Sequence, residues 1–441
     1  MKFKLFFWII FSFPHFALAQ NGFEFESKSK KKITIPFKLI NNLIFIPIHV
    51  NGIELNFLLD TGVEETILLS LDDKEEISIN NIEKITMRGL GGEDAIEGLK
   101  SNNNILSSHG FTDKNHLLYI VLDQSFNFSS HIGIPVNGII GYHFFKNHLI
   151  EINYDRKKII IHSDNVKIRK KINANYQKIP ITIEKNKPYL EAKVTVETKE
   201  INSKLLLDIG NSDAIWLFLD TQNNFKVPEK NFDDYLGKGF SGDIFGKRTR
   251  ISKFKISPFE FENPIIAMPD SSSVKSVTMV KNRDGSVGGE ILKRFSVVFD
   301  YKNNWMFLQK NSQFENPFQY NMSGVEIENQ GMQWVQETVP LNTVVVGNTY
   351  NSNGEKTTDF KYKFSLKPIY TIANVRKNSI AETSGLQKGD ILVSINNSPA
   401  YKYTLQEMNE ILKSEEGKWL QFVIERGSQQ LKFKFQLKGI L

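Results

Sequence analysis

The sequence predicts a mostly β protein, with two similar lobes in tandem and a smaller α+β domain behind them. Three observations carry that prediction. The chain has 441 residues, enough for two or three domains. Its apolar segments are short, rich in Ile, Val, Phe and Tyr, and broken by Gly and Asn, which is the pattern of strands. The chain also repeats itself as far as about Asn311 and then stops doing so.

The repeat is read landmark by landmark. Ile35-Pro36-Phe37-Lys38-Leu39 recurs as Ile179-Pro180-Ile181-Thr182-Ile183. Each leads into strands that end in Asp: Phe57-Leu58-Leu59-Asp60-Thr61-Gly62 and Leu205-Leu206-Leu207-Asp208-Ile209-Gly210. Arg88-Gly89-Leu90-Gly91-Gly92-Glu93 answers Lys238-Gly239-Phe240-Ser241-Gly242-Asp243. Asn137-Gly138-Ile139-Ile140-Gly141 answers Asp284-Gly285-Ser286-Val287-Gly288, and the copies then run without a gap to Ile159-Ile160-Ile161 and Met306-Phe307-Leu308. One short helix per lobe is expected, over residues 143–148 and 290–295.

A carboxylate at the tip of a buried strand is rigid and partly desolvated. Two such groups facing each other cannot both ionise easily, so they share a proton, and one acts as acid while the other acts as base. An Asp after a strand also favours turns, which is the plainer reading of either residue.

The N-terminus is Met1-Lys2-Phe3-Lys4, then an apolar run to Leu18 broken by Pro14, then Ala17-Leu18-Ala19. This pattern predicts a secretory signal peptide over residues 1–19, and the run is too short for a comfortable membrane span. The mature chain is expected to have no transmembrane segment and to be periplasmic or secreted. The chain has no Cys, which excludes disulfides, a thiol nucleophile and thiolate metal sites, and suits a bacterial envelope. Net charge is +6, with basic residues scattered apart from Lys28 to Lys32, which is read as a solvated leader. No basic-aromatic pattern points to nucleic acid. The eight His residues show no paired ligand spacing, so no metal or cofactor is expected.

Asp-Thr-Gly after an apolar strand, a glycine-bearing hairpin, and then an apolar pair followed by Gly resembles the retropepsin and pepsin families of aspartic peptidases, over roughly residues 33–310. The resemblance implies all-β lobes, 20–165 and 166–312, with Asp60 and Asp208 as the catalytic pair. It also implies that Thr61, Gly62 and Gly210 support the loops and that Gly89, Leu90, Gly91 and Gly92 form the flap over substrate. Ile209 departs from the family, which has a hydroxyl residue there to tie the two loops together. Asn211, Ser212 and Asp213 would supply substitute hydrogen bonds, with Asp213 read as a surface turn residue.

Asn311 to Pro317 reads as a linker. Beyond it, Ser384-Gly385-Leu386-Gln387-Lys388-Gly389-Asp390-Ile391-Leu392 is similar to a bacterial PDZ domain, over 313–441. Thr404 is a candidate N-cap for a helix whose apolar face holds Leu405, Met408, Ile411 and Leu412. The resemblance implies that Ser323, Gly324 and Val325 form a backbone nest for a peptide carboxylate. The peptide would add as a strand beside Val325-Glu326-Ile327 and pack near Leu405 and Met408. Trp334 to Phe364 reads as an insertion.

The expected function is that of an exported, monomeric aspartic endopeptidase whose PDZ-like domain recruits polypeptide substrate. Ile209 motivates the alternative of a catalytically inactive peptide-binding envelope protein. A further alternative keeps only Asp60 and pairs the first lobes of two copies.

Overall fold

The computed structural model describes residues 22–27, 29–69, 77–87, 96–122, 128–219, 221–239, 242–274, 280–340 and 360–441. The expected signal peptide lies outside these residues, as does the whole flap tip from Gly89 to Gly92.

Strands dominate, because alternating apolar residues give each strand one face to bury. In Lys32–Pro36, Ile33 and Ile35 point inward; in Lys158–His162, Ile159 and Ile161 do so. These strands belong to a six-stranded antiparallel sheet that joins the two repeats. Its order is Gln177–Pro180, Trp305–Lys310, Phe295–Asp300, Leu149–Asn153, Lys158–His162, Lys32–Pro36. Three strands come from each copy, and they meet at the centre, where Ile150 faces Phe299 and Ile152 faces Val297.

The same symmetry holds in each lobe's own sheet. Ile53–Leu59 lies between antiparallel Leu43–Val50 and parallel Gly138–Ile140. In the second lobe, Lys199–Leu207 lies between antiparallel Lys187–Val196 and parallel Arg283–Val287. The registers correspond, with Leu59 beside Ile140 and Leu207 beside Val287. One core runs through both lobes, including Ile35, Phe57, Ile150, Leu205, Val297 and Phe299. Each such side chain contributes about 1.5–3 kcal/mol on full burial.

The expected helices form as single turns, Tyr142–Phe145 and Gly289–Leu292. A third helix, Val166–Asn175, connects the lobes and was not expected. Its sequence is polar and only Ile172 is buried, so it carries almost no apolar stripe to read. Its start is fixed by Asn165, whose side chain accepts the Ile168 N–H at 3.0 Å.

Residues 29–32 of the basic run are exposed, as read, but the segment ahead of them and the segment read as a linker are packed. Phe23, ahead of the basic run, is fully buried against Phe111 at 5.2 Å, beside the short pairing of Glu24–Phe25 with Phe111–Val121. The segment read as a linker is held by Arg294. Its buried guanidinium donates to the Phe314 carbonyl at 3.1 Å and to that of Asn316, and Phe314 enters the core.

The C-terminal domain has its own core, including Val325, Ile372, Leu386, Leu405, Met408 and Phe422. Its sheet runs Val325–Pro340, Phe360–Val375, Ile391–Ile395, Trp419–Arg426, Gln429–Gln436. The expected insertion prolongs the first two of these strands into a hairpin; residues 341–359 lie outside the described ones. Helix Leu405–Leu412 starts at Thr404, whose hydroxyl accepts the Glu407 N–H while the Glu407 carboxylate reaches back to the Thr404 N–H.

Candidate active site

Each aspartate leaves a strand whose last residues are apolar and buried: Phe57, Leu58 and Leu59 in one lobe, Leu205, Leu206 and Leu207 in the other. The parallel neighbour fixes the next residue. The Asp60 N–H donates to the Ile140 carbonyl at 2.9 Å, and the Asp208 N–H to the Val287 carbonyl at 2.9 Å. Both loops turn to the interface between the lobes. There the two carboxyl groups stand close enough to act on each other.

The glycines make this approach possible. A Cβ on Gly62 would stand 2.8 Å from Asp208 Oδ1, and one on Gly210 would stand 2.5 Å from Asp60 Oδ1. Each loop's glycine thus lies against the opposite carboxyl group. The Gly62 N–H also donates to Asp60 Oδ1 at 2.6 Å, and the Gly210 N–H to the Asp208 carboxylate.

Thr61 ties the two loops through its hydroxyl. Its hydroxyl donates to the Leu207 carbonyl at 2.7 Å and accepts the Ile209 N–H at 3.1 Å. Ile209 has no hydroxyl to return these bonds; its side chain is buried in the common core instead. Asp213 is not a surface turn residue. Its carboxylate accepts Trp216 Nε1 at 2.8 Å and pairs at 2.8 Å with Arg248, a half-buried guanidinium on the hairpin above that also pairs with Asp234.

Burial pushes the Asp60 carboxyl well above the ordinary carboxylate range, and the Asp208 charge beside it adds to the rise. Burial also raises Asp208, but the Arg283 charge, the hydrogen bond from Asp60 and the Lys187 charge oppose that rise. Burial thus raises both carboxyl groups, and the neighbouring cations favour the charged form of Asp208.

Four residues around the pair were not read from the sequence. Asn42 ends the turn after Lys38–Ile40 and reaches the other lobe, donating to the Ser212 carbonyl and to Glu290, both at 2.8 Å. Asn186 holds the equivalent place and donates back to Glu64 at 2.6 Å. Both turns carry two residues of positive φ, Asn41 and Asn42, and Lys185 and Asn186. Their common offset with Ile35 and Ile179 was the available signal. Lys187 and Arg283 are the other two. They stand where the first lobe has Leu43 and Val136, so the repeat hid them as mismatches.

The strands flanking the expected flap, Ile82–Met87 and Ile96–Ser108, pair up to Met87 and Ile96. In the second lobe, Asn231–Gly239 and Gly242–Arg250 form the matching hairpin.

In the C-terminal domain, the N–H groups expected to form a nest are used within the loop. Those of Ser323 and Gly324 donate to Asn321 Oδ1 at 3.1 and 3.2 Å, and that of Val325 donates to Ser323 Oγ at 3.1 Å. Leu405 and Met408 are buried. The strand edge beside them meets the first lobe, where helix Phe128–Ile132 packs on Val325–Pro340. A Cβ on Gly133 would stand 3.0 Å from Leu405 Cδ1.

Residues 46–144 match the family model described as aspartyl protease, and residues 371–426 match the PDZ domain model. The chain thus carries an aspartyl protease domain, with Asp60, Thr61 and Gly62 inside it, and a C-terminal PDZ domain. No curated protein matches the chain. Among solved structures, an aspartic proteinase from Irpex lacteus is similar, at 12% identity and a TM-score of 0.42, covering 65% of this chain and 99% of that chain.

Proposed function

We propose that the chain is an exported aspartic endopeptidase acting through Asp60 and Asp208, with a PDZ domain that engages polypeptide. The observation that supports this best is that the two aspartates meet across the lobe interface, each carboxyl group lying against the glycine of the opposite loop. In this reading a water is held between the two groups. Asp208 takes a proton from the water as its oxygen attacks the scissile carbonyl carbon, and Asp60 gives its proton to the carbonyl oxygen. Asp208 then gives its proton to the amide nitrogen while Asp60 takes one from a hydroxyl of the gem-diol; the C–N bond breaks, amine and carboxylic acid leave, and the pair again has Asp60 protonated and Asp208 ionised. Acid-base help of this kind is typically worth about 10²–10⁴-fold. A single chain supplies both carboxyl groups, so pairing two first lobes is not needed. The N-terminal segment supports export.

The test is digestion of a broad peptide pool by the full chain from mildly acidic to neutral pH. Cleavage is expected from the wild type and none from Asp60→Asn or Asp208→Asn, with circular dichroism unchanged. Activity should fall as pH rises and Asp60 loses its proton. A folded Asp60→Asn chain that still cleaves would rule out the mechanism, and a silent wild type that binds peptide tightly would favour the inactive binding protein.

A further inference from the structure

Symmetry relates the backbones around the two aspartates but not the charges. Antiparallel pairing sets Tyr189 opposite Leu206, and two residues further along that register Lys187 falls opposite Asp208. The first lobe sets Ile44 opposite Leu59, so Leu43 falls opposite Asp60. Arg283 opens the strand that runs parallel to Lys199–Leu207, whereas Val136 holds that place in the first lobe. Leu43 and Val136 are buried. Lys187 and Arg283 are half-buried, and both act electrostatically on Asp208.

Neither cation forms an ion pair among the described residues. Arg283 Nε donates to the Gly285 carbonyl at 3.0 Å, and its guanidinium lies over the Phe218 ring at 5.1 Å. Tyr189 and Asp208 lie within its electrostatic reach. Lys187 has Glu64 as well as the pair within electrostatic reach. Lys187 is thus partly offset by Glu64, whereas the Arg283 guanidinium has no carboxylate partner among the described residues and is the cation left to meet an incoming carboxylate. Desolvating a guanidinium without a carboxylate is unfavourable, and nothing in the packing here requires the charge.

We infer that Arg283, assisted by Lys187, selects substrates carrying a carboxylate next to the scissile bond on the second-lobe side. This rests on the peptidase reading above. The carboxylate is either an Asp or Glu side chain or the terminal carboxylate of a short product-side peptide. A charge-assisted hydrogen bond of this kind discriminates roughly tenfold to a hundredfold against a neutral isostere.

The experiment measures kcat/KM for the full chain on fluorogenic peptides that differ only beside the cleaved bond. One set compares Glu with Gln at each flanking position; another compares a free C-terminus with an amide at the same place. Glu is expected to exceed Gln by tenfold or more at one position if side chains are read. The free acid is expected to exceed the amide if termini are read. Arg283→Val, which installs the residue of the first lobe, should bring the Glu-to-Gln and acid-to-amide rate ratios to one, whatever it does to the overall rate through Asp208. Lys187→Leu should weaken it. Equal rates within both wild-type pairs would overturn the inference and leave the peptidase reading intact, and need no variant to fold. A folded Arg283→Val chain that kept the preference would also overturn it. No cleavage of any peptide by the wild type would instead sink the peptidase reading, and this inference with it.

Discussion

The hydroxyl of Thr61 does for both aspartate loops what one hydroxyl from each lobe would otherwise do. Magnitudes explain why the second can be absent. The lost hydrogen bond costs about 0.5–1.5 kcal/mol. A fully buried Ile contributes about 1.5–3 kcal/mol, and Ile209 is buried in the common core. The exchange therefore favours stability, at the expense of a loop tied from one side only. The prediction concerns which of the two residues matters. Thr61→Val keeps the shape but leaves the Leu207 carbonyl and the Ile209 N–H without their partner. It should cost about 1–3 kcal/mol in urea unfolding and lower kcat much more than KM. Ile209→Val removes one methylene and should cost about 0.5–1.5 kcal/mol with kcat nearly unchanged. Equal kinetic damage from the two would mean that the loops are positioned by packing, not by this hydroxyl.

At the scale of elements, the deciding contact is between a helix of the first lobe and the strand edge of the PDZ domain. An added peptide strand needs the free edge of Val325–Pro340 next to helix Leu405–Leu412. Helix Phe128–Ile132 packs there, and Gly133, at φ +81°, abuts Leu405. Peptide and helix are thus expected to compete for one edge. Gly133→Leu strains a left-handed backbone and collides with Leu405, so it should release the helix and tighten binding of a labelled C-terminal peptide pool, read by fluorescence anisotropy. Unchanged affinity in the variant would mean that the peptide uses another surface. Nothing in the sequence announced this contact, since it joins residues far apart in the chain through a short, barely amphipathic helix. The Asp60 and Asp208 loops, the helix after Thr404 and the lobe repeat were legible because each is local, or is a local pattern occurring twice. Asn42 reaching Glu290 was not, because a cross-lobe hydrogen bond leaves no periodic trace. Asp213 was misread because a short polar run looks like a turn whether or not an arginine waits above it. Lys187 and Arg283 were passed over for the opposite reason: they break the repeat that made the rest readable.

Across the whole molecule, ion pairs lead from the PDZ domain to the Asp208 loop. Arg376 pairs with Asp234 at 3.4 Å and lies over the Phe232 ring at 4.1 Å. Asp234 pairs with Arg248 at 2.6 Å, and Arg248 with Asp213 at 2.8 Å, five residues past Asp208. Glu326, on the first strand of the PDZ domain, sits beside this chain. Burial, and then the Asp234 charge, push its carboxyl up to about 7, against the pull of Lys413, Arg248 and Arg376. A separated domain would let Glu326 titrate near the ordinary 4.5. Between those values the docked state holds a proton that the separated state has lost, so docking takes up a proton. Its stability contribution is full below about pH 4.5 and is lost as pH rises through about 7. The PDZ domain should therefore sit more tightly on the second lobe in mildly acidic solution, the range in which the protonated Asp60 is also preserved. Small-angle scattering at pH 5 and pH 8 measures this: the wild type should expand at the higher pH, while Glu326→Gln, which carries no charge to desolvate, should be equally compact at both. A wild type of constant dimensions across that range would show that the interface is held by its ion pairs and aromatic contacts whatever the state of Glu326.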